Sequence, residues 1–100
     1  MPELGCTVRR VGDHESRTEE YEVLYAVGDS APRGLRIKYQ AARAYEINAA
    51  LDAAVEVARA AISEAGLEGP SDAALSQLTW RAIQSAKYEE GKPRTSRLGL

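Results

Sequence analysis

His14 stands between Asp13 and Glu15, an imidazole flanked by two carboxylates, and Cys6 is the only thiol in the chain. These residue types do metal and nucleophile chemistry, but neither residue has the partners that chemistry needs. A zinc site takes three or four protein ligands converging on one point, and adjacent side chains in a polar loop do not converge. His14 therefore reads as solvated. A lone cysteine forms neither an internal disulfide nor a cysteine metal cluster. With no clear partner to hold a thiolate, Cys6 reads as a small buried hydrophobe. No metal ligand set and no cofactor site is legible.

Gly28-Asp29-Ser30 directly follows an apolar strand pattern, and these three residues resemble the nucleophile block of the GDS-type esterases. The resemblance implies a serine attacking an ester, which requires a histidine base, normally far downstream. The single histidine lies upstream, so the segment reads as a turn in which Asp29 and Ser30 bond local backbone.

Two further groups could bind rather than react. Arg33, Arg36, Lys38 and Arg43 fall in one short stretch without an acidic residue, and cations spaced along a strand can lie on phosphates. On a second helix, Trp80, Arg81, Gln84 and Tyr88 share the side opposite Leu75 and Leu78 with Gln77. Trp, Tyr and Arg dominate binding hot spots because they bring large area with a polar handle.

The elements that must position these groups follow from hydrophobic period. Residues 4–11 alternate loosely, and 21–27 put Tyr21, Val23, Tyr25 and Val27 on one face, with the polar segment 12–20 between them as an exposed loop. Leu35, Ile37 and Tyr39 alternate with Arg36 and Lys38, favouring a third strand over an early helix start, since cations at a helix N-terminus oppose the macrodipole.

From about Gln40 to Ala65 an Ala-rich run without Gly or Pro predicts one helix, on the order of 39 Å long at ~1.5 Å per residue. That exceeds the ~30 Å span of a small domain. Its apolar seam of Leu51, Val55, Ala58 and Ile62 then calls for outside cover, and the expected cover is a second copy. Gly66 ends this helix. Ser71 caps a second one running to about Glu90, with Leu75, Leu78, Thr79, Ala82, Ile83 and Ala86 inward. Residues 91–100 carry Lys92, Arg94 and Arg97 with no acid, and little in them demands order.

The expectation is an α+β fold: a two- or three-stranded antiparallel meander, then a long and a shorter helix in an antiparallel hairpin. One domain spans residues 1–90, with a basic tail over 91–100. The chain has 100 residues, 44 % of them apolar, and a formal net charge of −2, which gives no global attraction to nucleic acid or anionic membrane. No leader or membrane span is legible, so a cytoplasmic protein is expected. The leading functional reading is a non-enzymatic interaction module, dimeric and presenting a surface to another protein. The alternative is a nucleic-acid-binding protein that uses the stretch from Arg33 to Arg43 and the basic tail.

Overall fold

Alternation builds the sheet. In β1 (Glu3–Val11) Leu4, Cys6 and Val8 are buried. In β2 (Thr18–Val27) the buried set is Glu19, Tyr21, Val23, Tyr25 and Val27, and in β3 (Arg33–Gln40) it is Ile37 and Tyr39. The period of two sends each set to the same side. The structure is a computed structural model and describes residues 2–12, 17–89 and 91–100. His14 with its acidic neighbours lies outside the described residues.

Residues 35–39 are strand, paired with β2 in the register Tyr21↔Ile37 and Glu22↔Arg36. Thr18, Glu19 and Glu20, expected in the loop, belong to β2 because they pair with Gln40, Tyr39 and Lys38 of β3. The GDS segment is a turn, as expected. Gly28 takes φ +55°, and the Ser30 hydroxyl donates to the Val27 carbonyl at 2.5 Å.

The first helix is shorter than its composition suggested. α1 spans Ala44–Glu64, 21 residues, which at ~1.5 Å per residue is about 32 Å. The long axis of the molecule is 41 Å, so the helix fits on its own sheet and the length argument for a second copy fails. The run does not start at Gln40 because that residue ends β3, and the Glu46 carboxylate accepts its backbone N–H at 3.3 Å. At the other end Gly66, at φ +75°, donates to the Ser63 carbonyl and Leu67 donates to that of Ile62. This is a Schellman stop, in which the left-handed residue is best served by glycine.

α2 (Asp72–Lys87) begins at Ser71, whose hydroxyl accepts from the Ala74 N–H at 3.2 Å. It buries Leu75, Leu78, Thr79, Ala82, Ile83 and Ala86, the face read from the sequence.

The tail carries the largest correction. Residues 94–99 form a strand, β4 (Arg94–Gly99), antiparallel to β1 from Glu3↔Gly99 to Val8↔Arg94. The sheet order is β3-β2-β1-β4. Both helices lie on one face, α1 over β3 and β2 and α2 over β1 and β4. Among the described residues no helix is long and apolar enough to cross a membrane.

With no Phe in the chain, Tyr21, Tyr25 and Tyr39 are the largest buried side chains. A buried hydroxyl needs a partner. Tyr25 finds Thr79 of α2, and Tyr21 donates to the buried Glu19 carboxylate at 2.6 Å.

Candidate interaction surface on the uncovered sheet face

An antiparallel sheet can leave one face in water, and among the described residues no helix covers the side opposite the core. Cross-strand rows set its chemistry. In one row Arg36, Glu22 and Arg9 stand side by side on β3, β2 and β1. Glu22 accepts 2.7 Å bonds from both guanidiniums, one on each oxygen. The donated bonds from Arg9 and then Arg36 hold its carboxyl below the usual carboxylate range. Arg36 also reaches Glu20 at 3.7 Å.

The other half of the face has almost no charge on its floor. Gly5, Thr7, Leu24, Ala26 and Thr95 line a trough of about 580 Å³, with Glu3 and Arg97 at its rim. Leu24, in mid-sheet, is 43 % exposed. It lies across Gly34 of β3, where a Cβ would come within 2.4 Å of the leucine methyl. Glycine there lets Leu24 lie low over the strand. The Thr7 and Thr95 hydroxyls bond each other at 2.8 Å and tie β4 into the floor.

The residues singled out in the sequence scatter over the molecule. Val55, Ala58 and Ile62 are buried in the core of their own chain, 7, 0 and 2 % exposed, and Leu51 is half-buried beside them. The sheet and α2 already cover the seam within one chain, which removes the reason for expecting a second copy there. Trp80 is half-buried too, its ring 6.4 Å from that of Tyr39. It lines a shallow groove of about 330 Å³ between the helices with Ile47, Leu51 and Gln77. Arg81 and Tyr88 are exposed and Gln84 is half-exposed, so the four residues do not form one patch.

The basic stretch is neutralised where it stands. Arg33 pairs with Glu64 at 2.6 Å, Arg36 with Glu22, and Arg43 with Glu46 at 3.2 Å. Lys38 is exposed without an ion pair among the described residues. Glu22 stands on the neighbouring strand and Glu46 follows the stretch directly, whereas Glu64 reaches Arg33 only through the packing of α1.

Buried chemistry is closed off. Cys6 lies under α2 beside Tyr25 and Thr79, and burial pushes its thiol up to about 11. Tyr39 is likewise pushed up to about 12, mainly by burial and then by the Glu19 charge. Among the described residues no group of His, Cys, Asp and Glu is placed to hold a metal ion.

The trough was not foreseen. Its one sequence signal is Leu24, an apolar residue on the polar side of the β2 alternation between Glu22 and Ala26. The chain matches no known family model, no curated protein and no solved structure.

Proposed function

We propose that the protein is a non-enzymatic interaction module that presents the uncovered sheet face to another protein. The carrying observation is the trough itself, a small-residue floor around an exposed Leu24, beside a row of charges that satisfy one another. An apolar segment of a partner would gain by desolvating Leu24 and Ala26, while the Arg36, Glu22 and Arg9 row would discourage apolar contact on the other half of the face. Among the described residues Cys6, Tyr21, Tyr25 and Tyr39 are buried, with 2 % exposure at most, which supports a binding surface over catalysis by these groups. A cytoplasmic setting suits the single buried thiol.

Nucleic acid is the weaker reading. Phosphates would have to displace Glu22, Glu46 and Glu64 from Arg36, Arg43 and Arg33 before any counterion release was gained.

Capture from native lysate with and without nuclease tests the proposal, comparing wild type with Ala26→Arg and with the Arg36→Ala, Lys38→Ala pair. Ala26 points out of the sheet, so an arginine there fills the trough without entering the core. The expected result is a partner lost with Ala26→Arg, unaffected by nuclease, with unchanged melting. A partner retained by Ala26→Arg, or lost on nuclease treatment, would overturn it.

A further inference from the structure

Among the described residues the outer edge of β4 has no neighbouring strand, and its register suits a copy of itself. The Leu100 N–H donates to the Pro2 carbonyl at 3.1 Å, and the β1–β4 ladder continues without interruption to Val8↔Arg94. Alternate residues of an antiparallel ladder bond to the same neighbour. Leu98 and Ser96 therefore turn their backbone groups toward β1, and Thr95, Arg97 and Gly99 turn theirs outward. The Gly28 N–H on the Glu3 carbonyl, at 3.3 Å, fixes the same parity on β1.

The opposite edge is guarded. On β3 the outward residues include Arg36 and Lys38, both exposed, and cations on an edge strand discourage pairing. On β4 the outward set carries one cation, Arg97, and, two residues on, a gap at Gly99, where an added Cβ would meet nothing within 4 Å, so that cation has somewhere to go.

We propose that two copies pair antiparallel through β4 about a two-fold axis at Leu98, joining their four-stranded sheets into one of eight strands. In this register Arg97 exchanges backbone hydrogen bonds with Gly99 of the second copy. Its guanidinium crosses that glycine toward Glu3 of the second copy, which stands in line with Gly99 on β1. Within one chain Arg97 holds Glu3 only loosely, at 3.9 Å, and its side chain is 68 % exposed. On the helix side the half-buried Leu98 meets its own counterpart, a contact a leucine at an edge gains from. The alternative register with Arg97 opposite Arg97 sets like charges together and is disfavoured. The interface is isologous, so association stops at two. This goes beyond the trough and needs no other protein, so its test on purified protein is separate from the lysate test.

Sedimentation equilibrium and amide exchange on the purified full chain test it. The mass should rise from 10.9 kDa toward twice that value with concentration. The Arg97 and Gly99 amides should slow in parallel while the Leu98 amide, already bonded within the chain, does not. Arg97→Pro removes an outward N–H that β1 does not use, and Gly99→Lys puts a cation in the path of Arg97. Each should weaken association about tenfold or more with unchanged monomer circular dichroism. Arg97→Glu should weaken it and Glu3→Arg added to that variant should restore it. A mass of 10.9 kDa at every accessible concentration overturns the proposal. So does a dimer indifferent to both Gly99→Lys and the charge reversal, or a mass beyond twice the monomer.

Discussion

The Tyr25 and Thr79 hydroxyls meet in the core at 2.5 Å, joining β2 to α2. The direction of this bond follows from proton supply. The Thr79 hydroxyl has one proton, and it donates to the Leu75 carbonyl at 2.9 Å. Tyr25 is then the donor and Thr79 the acceptor. Both side chains are fully buried, so neither has water as a substitute partner.

Thr79→Val removes the acceptor and leaves the tyrosine hydroxyl only the weak Cys6 sulfur beside it, which costs about 1–3 kcal/mol. For a domain of this size, melting should fall by roughly 4–8 °C per kcal/mol. Tyr25→Phe should cost less, because Thr79 keeps Leu75. The double variant should cost less than the sum of the two, since one removes the need the other created. Urea unfolding of the four proteins checks the cycle. Strict additivity would mean the two hydroxyls do not bond.

The same buried region sets an alkaline limit. Cys6 rises from an ordinary 9.0 to about 11 and Tyr39 from 10.0 to about 12 because burial disfavours their anions. A folded value above the unfolded one means the unfolded chain releases its proton first. The contribution is therefore complete below the unfolded value and is lost as pH climbs through the folded one. Melting temperature should hold level to pH 9.0 and decline above it, first with Cys6 and then with Tyr39 toward about 12, while Tyr21 and Tyr25, whose hydroxyls burial raises further still, add to the loss from pH 10.0 upward. Cys6→Ala should flatten the lower part of that decline, and native Cys6 should resist alkylation until urea unfolds the chain. Rapid alkylation of the native protein at pH 8, or stability rising with alkali, would contradict this account.

Elements with a strong local signal were legible, and those made by non-local contact were not. The inward face of α2 repeats at helical spacing behind the Ser71 cap, and the Gly66 stop needs only a left-handed residue, so both could be read directly. β4 has Leu98 as its one large apolar residue. It is a strand because β1 lies beside it, and nothing within residues 94–99 announces that partner. The α1 seam shows the same limit from the other side. Its 3-4 spacing correctly marks Val55, Ala58 and Ile62 as buried, but spacing does not say what buries them. The trough depends on four strands at once, and Leu24 alone was a thin clue to it.

Trp80 and Tyr88 were grouped by helical angle, and the structure separates them. Trp80 lies half-buried against Tyr39 and the first turns of α1, whereas Tyr88 is 82 % exposed. The angle placed Trp80 opposite Leu75, but α1 lies close enough to catch so large a ring from the side. Trp80→Ala should cost about 2 kcal/mol, below the range for a fully buried Trp because part of the ring is already in water. Tyr88→Ala should stay within about 0.5 kcal/mol of wild type. Urea unfolding measures both. If Trp80→Ala left stability unchanged, the ring would hold neither Tyr39 nor the helix pair in place, and Trp80 would stand again as a candidate partner contact.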